Sequence, residues 1–222
     1  LGAIVLTHRG SISRTPRRAA SPLTTGLAIG LATGLSTLAT VGCASRPSSP
    51  STTIQEIDRS RQRAYDLALK AQQLSTDGKT EEAVAALREA VSLWRDMPAA
   101  WNNLGVLLMQ QQNYAEAVGA FKVAAEQSQA DPRPLENIGV CYMASGWAED
   151  SLRYFGMALG RDPNRIESLR GAVRAAEMLR IRDDATYERI RTALLIETDP
   201  QYRMYFERQQ QLVKAALALR TP

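Results

Sequence analysis

Trp101–Ala124 reads WNNLGVLLMQQQNYAEAVGAFKVA, and 34 residues later Leu135–Ala158 reads LENIGVCYMASGWAEDSLRYFGMA. Small and large side chains recur at matching places. Trp101, Leu104, Gly105, Tyr114, Ala117, Phe121 and Ala124 are followed at this interval by Leu135, Ile138, Gly139, Ala148, Ser151, Phe155 and Ala158. The same step backwards reaches Leu67, Lys70, Ala71, Thr80, Ala83, Leu87 and Ala90. A fixed period of this length predicts an all-α solenoid of stacked antiparallel helix hairpins. Such units bury a shared core by stacking on one another.

The pattern has a packing logic. Ala71, Gly105 and Gly139 fall where the two helices of a hairpin approach most closely, opposite Ala83, Ala117 and Ser151. Large residues such as Trp101, Leu104, Phe121 and Phe155 then fill the space between hairpins. A glycine inside a helix costs about 1 kcal/mol against alanine, so its recurrence at one register implies a packing reason. Gly78 and Gly146 suit tight turns inside the first and third hairpins, and Gln112-Asn113 takes that place in the second. Asp131-Pro132, Asp162-Pro163 and Asp199-Pro200 suit the junctions between units, where proline stops one helix and can open the next.

The runs W-x-x-L-G at Trp101–Gly105 and Y-x-x-A-x-x-x-F-x-x-A at Tyr114–Ala124 resemble a tetratricopeptide (TPR) repeat. The next copy continues as L-x-x-I-G-x-x-Y from Leu135 to Tyr142 and S-x-x-x-F-x-x-A-x-x-x-x-P from Ser151 to Pro163. The first copy matches mainly through E-E-A-V-x-x-L-x-x-A, Glu81–Ala90. The resemblance implies units at 64–97, 98–131 and 132–165, a degenerate fourth at 166–200, and a capping helix over 201–222. The fourth is called degenerate because its Asp-Pro junction recurs after 37 residues and no small-residue pair falls in register.

The chain carries a formal charge of +4 and a pI near 9.3. That excess belongs to its beginning: Arg9, Arg14, Arg17 and Arg18 precede Cys43, and no acidic residue does. Acidic and basic residues are otherwise equal in number and interspersed, which argues against nucleic acid as a partner. Arginines, then the uncharged stretch Pro22–Gly42, then small residues before Cys43, have the three-part form of an export signal over 1–43. Ala39-Thr40-Val41-Gly42-Cys43 resembles a bacterial lipobox, although Thr40 replaces the usual leucine. The resemblance implies lipid attachment at Cys43 and a membrane-anchored lipoprotein of the bacterial envelope. An uncleaved apolar anchor and ordinary secretion are the competing expectations. The Ser/Pro-rich stretch 44–54 reads as a tether.

The chemistry of common enzymes is missing from the repeats. The single histidine is His8, and the repeats contain no C-x-x-C, phosphate loop or dinucleotide fingerprint. No enzyme activity, cofactor or metal is expected, and Cys141 reads as a small buried packing residue. Carboxylate pairs at Glu81-Glu82, Glu149-Asp150 and Asp183-Asp184 suit helix starts. Function is expected on the first helices, which line the inner side of such a stack. Their remaining positions are Asn102, Asn103, Val106, Met109 and Gln110, then Arg133, Glu136, Asn137, Val140 and Met143, then Arg170, Arg174 and Glu177.

Asn103 and Asn137 lie one period apart, and their amides can pair with a peptide backbone; equally, they can bridge neighbouring hairpins. In TPR proteins an asparagine here often contacts bound peptide, so the resemblance implies other proteins or peptide segments as partners. No Lys/Arg cluster accompanies them, so recognition of a terminal carboxylate is not expected. The expected role is an envelope scaffold, in secretion or pilus assembly by analogy. An enzyme or enzyme accessory using Arg133, Glu136, Arg170 and Glu177 is the alternative, and a self-associating structural element is another.

Overall fold

The computed structural model describes residues 50–219. Four hairpins and a final helix follow one another: α1 (Pro50–Thr76) with α2 (Thr80–Leu93), α3 (Pro98–Gln110) with α4 (Tyr114–Gln127), α5 (Arg133–Ala144) with α6 (Ala148–Arg161), and α7 (Ile166–Met178) with α8 (Asp184–Ile196), then α9 (Pro200–Ala218). Each hairpin packs on the next through its neighbour's first helix, α2 on α3, α4 on α5 and α6 on α7. First helices also touch one another, α3 with α5 and α5 with α7. No two second helices are in comparable contact among the described residues, so the first helices form the inner side.

The turns explain why the period is strict. Gly78, Gln112, Gly146 and Arg180 all have positive φ, at 76°, 60°, 81° and 57°, and they stand 34 residues apart. Two of the four are therefore left-handed without being glycine. Helix starts are marked as their residues suggest. Glu81-Glu82 and Glu149-Asp150 occupy the first turns of α2 and α6, where negative charge offsets the helix dipole. Asp183 and Asp199 accept hydrogen bonds from the backbone of Thr186 and Gln201.

The two glycines that recur one period apart, Gly105 and Gly139, have the close neighbours that their recurrence requires. A Cβ on Gly105 would lie 2.6 Å from the Phe121 ring, and one on Gly139 would lie 3.1 Å from Phe155. Opposite Gly139, the buried Ser151 hydroxyl donates to its carbonyl at 2.9 Å. Phe155 also meets the following hairpin, where a Cβ on Gly171 would stand 2.3 Å from the ring. The ring is thus wedged between two glycines of different hairpins.

The fourth hairpin is complete. Its small-and-large pairing is exchanged: Val173 stands one period after Gly139, and Ile190 is the buried large residue of α8. The tether expected over 44–54 ends sooner, since residues 50–54 are already helical in α1. Pro50 does not oppose this, because proline's fixed φ and missing N–H are compatible with a first helical turn.

Both ends of the stack present polar side chains. Ala100, Leu104 and Leu107 of α3 are buried, whereas their counterparts one period earlier, Asp66, Lys70 and Gln73, are exposed. At the other end α9 buries Phe206, Gln209 and Val213 and exposes Glu207, Arg208, Gln211 and Lys214. A capping element of this kind shields the last apolar face of a repeat array.

Candidate functional site

The inner surface is arranged in rows one residue deep, each repeating at the 34-residue step. One row is Leu69, Asn103, Asn137 and Gly171; a second is Gln72, Val106, Val140 and Arg174. On the α1 side, Tyr65 and Leu69 are 52% and 69% exposed. In the centre Val140 is 39% exposed, while Val106 and Met109 are half-buried against the core. Met143 is half-buried as well. All of these positions lie on first helices and outside the fully buried core.

A third row departs from the expected lining. Asn102, Glu136 and Arg170 stand one period apart, and each turns toward the following hairpin. Glu136 is 7% exposed. It accepts from Arg165 Nε and Nη2 at 2.9 and 3.1 Å, and from Ser168 Oγ at 2.8 Å. Arg170 donates through Nε and Nη2 to Glu197 at 2.7 and 2.5 Å. Its guanidinium also sits 3.9 Å from the centre of the Tyr202 ring. That paired guanidinium holds the Glu197 carboxyl below its ordinary range. Asn102 accepts from Asn137 Nδ2 at 3.2 Å. Glu136 and Arg170 are therefore fasteners between hairpins, and Asn137 takes the bridging role.

Two further groove candidates have local partners. Arg133 folds onto Asp131, with Nε and Nη2 donating at 2.7–3.0 Å. Glu177 accepts from the Tyr205 hydroxyl at 2.9 Å and from Gln209 Nε2 at 2.6 Å, which ties α7 to α9. Burial, and then that hydrogen bond, push the Tyr205 hydroxyl's pKa upward. Asn103 and Arg174 remain exposed, with no hydrogen bond or ion pair from either side chain among the described residues. Cys141 is 1% exposed, and burial pushes its thiol up to about 12, as suits a packing residue.

Sequence reasoning missed a second set of fasteners on the outer side. Arg161, in the last turn of α6, donates to the carbonyls of Ala125, Ser128 and Asp131. These lie at the end of α4 and just beyond it, where backbone acceptors lack helical partners. Gln127, one period earlier, donates likewise to the Arg95 carbonyl at 2.9 Å. A polar residue shared at positions 127 and 161 was the available signal. Cys43 lies outside the described residues.

Residues 68–132 match the family profile described as tetratricopeptide repeat. No curated protein matches the chain significantly. Among solved structures, a tetratricopeptide repeat protein from Parabacteroides merdae is 18% identical with a TM-score of 0.61, over 70% of this chain and 61% of that one. MamA is 16% identical with a TM-score of 0.57, over 65% and 84% respectively. The first TPR of Spaghetti (RPAP3), bound to the HSP90 peptide SRMEEVD, is 18% identical with a TM-score of 0.52, over 54% and 95%. At these identities the likeness speaks for the fold. The described chain is thus a TPR-like α-solenoid closed by a capping helix, with a tetratricopeptide repeat match over residues 68–132.

Proposed function

We propose that this protein is an exported scaffold that holds partner segments in the groove formed by α1, α3, α5 and α7. The observation that carries the reading is the exposed, uncharged strip of Asn103 and Val140, flanked by Tyr65 and Leu69. Exposed side chains held on rigid helices offer a preformed surface, which limits the ordering that binding requires. TPR folds mediate protein–protein interaction, as the peptide-bound relative illustrates. The partners of the acid–base candidates favour binding over catalysis. Arg133, Glu136, Arg170 and Glu177 are each held by structural partners.

The display of this groove at a bacterial envelope rests on the export-like leader, with Cys43 as the lipid attachment site and a short Ser/Pro-rich connection to α1. Intact-mass analysis of the native N-terminus is expected to find an acylated chain beginning at Cys43. Retention of residues before Cys43 would overturn that part of the reading. For the groove, alanine at Asn103 with aspartate at Val140 is expected to reduce partner capture by roughly tenfold or more. Both positions are exposed, so circular dichroism should be unchanged. Undiminished capture by the folded variant would remove the groove from the function.

A further inference from the structure

An extended segment lying in this groove would need hydrogen-bond partners for its own backbone. The row that could supply them runs Leu69, Asn103, Asn137, Gly171 and, on α9, Tyr205. Asn137 already donates to Asn102, and the Tyr205 hydroxyl donates to Glu177. Leu69 and Gly171 have no polar side-chain group. That leaves the Asn103 amide together with the carbonyl oxygen and second N–H of Asn137, too few for a segment crossing four helices, and polar backbone left unpaired against an apolar floor is strongly disfavoured. A helix satisfies its own backbone and presents only side chains.

We propose that the groove receives an amphipathic helix, its uncharged apolar face laid across α1, α3 and α5 and an acidic residue placed over Arg174. The proposal rests on the groove function above and narrows the partner's chemistry. Ile54, Tyr65 and Leu69 are 61%, 52% and 69% exposed and share one face of α1. On α3 and α5 the apolar residues of the inner side are the half-buried Val106 and the exposed Val140.

Charge sets the rest. Pro98–Gln110 contains no ionisable side chain. On α5, Arg133 and Glu136 are neutralised by Asp131 and Arg165. A charged partner face would be desolvated there without a counter-charge. On α7, Arg174 is exposed in the Val106 and Val140 row, and its side chain has no ion pair among the described residues. A carboxylate on the partner would complete it. About five turns of helix, roughly 27 Å long, would reach across several of these first helices.

The test is a selection of randomised peptides of about 18 residues, displayed and panned on the full-length protein. Enriched sequences are expected to carry apolar residues at i, i+3, i+4 and i+7 with Asp or Glu near one end. By fluorescence anisotropy, V140D should weaken a selected peptide about tenfold. R174E should weaken it about fivefold, with recovery when the peptide's acidic residue is changed to lysine. Enriched peptides with alternating or proline-interrupted patterns that still depend on Val140 would overturn the helical partner and leave the groove function standing. Enrichment indifferent to V140D and L69D, or no enrichment, would overturn both. Failure of the charge exchange would overturn the acidic contact.

Discussion

Replacing Gly171 by alanine is expected to lower the unfolding free energy by about 2 kcal/mol. The added methyl would stand 2.3 Å from the Phe155 ring. The ring cannot retreat cheaply, because a Cβ on Gly139, across the hairpin interface, would already be 3.1 Å from it. Phe155 is 2% exposed, so rotation toward solvent is closed as well. In urea titration the midpoint should fall with an unchanged slope. Gly119→Ala supplies the control, since a Cβ there meets nothing within 4 Å. That variant should gain up to about 1 kcal/mol from helix propensity. A neutral Gly171→Ala would mean that Phe155 is not wedged. In the background of Phe155→Leu, the cost of Gly171→Ala should largely vanish.

Arg170→Met is expected to cost about 3 kcal/mol at neutral pH, because it strands the Glu197 carboxylate. The Glu197 side chain is 1% exposed, and Arg170 provides its two charged hydrogen bonds. The backbone N–H groups of Asp199, donating at 2.8 Å, and of Thr198 would remain, and both are uncharged. Arg170→Met/Glu197→Met together should recover most of the loss, as paired removal leaves no buried charge.

The pH dependence follows from the direction of the Glu197 shift. Its folded pKa lies below the ordinary value of 4.5, chiefly through the Arg170 hydrogen bonds. A depressed carboxylate pKa contributes stability that is present above the unfolded value and lost as pH falls through the folded one. The gap between wild type and Arg170→Met should therefore narrow as pH falls from 7, and be smallest once pH is below the depressed pKa of Glu197 in the wild type. A gap that stayed constant from pH 7 to pH 3 would rule out the ion pair as its cause.

Much of this architecture is legible in the sequence because one physical demand, close helix approach, repeats at one interval. Gly105 and Gly139 expose that demand directly, and Phe121 and Phe155 answer it. The fourth hairpin hides it. There the bulk has moved to the first helix as Val173, and Ile190 has replaced the aromatic ring. A buried core survives while the pattern does not.

The inner surface was legible in its apolar and amide positions, and less so in its charges. Subtracting core residues leaves every polar first-helix position as a candidate. The fasteners at Glu136 and Arg170 have partners 29 and 27 residues away, at places no repeat motif marks. Long side chains reaching across a junction obey geometry that spacing along one helix does not encode. The start of α1 was hidden for a different reason: Ser, Thr and Pro suit a loose linker and a first helical turn equally.

The polar ends of the stack also bear on how such a molecule can change in length. With Asp66, Lys70 and Gln73 on one terminal face and Glu207, Arg208, Gln211 and Lys214 on the other, a hairpin appended at either end would have to bury several charged and polar side chains. Growth by duplication would have to occur between α3 and α8, where both faces of every hairpin are already matched to a neighbour. The two terminal elements would then be carried along unchanged, and the groove would lengthen from its middle.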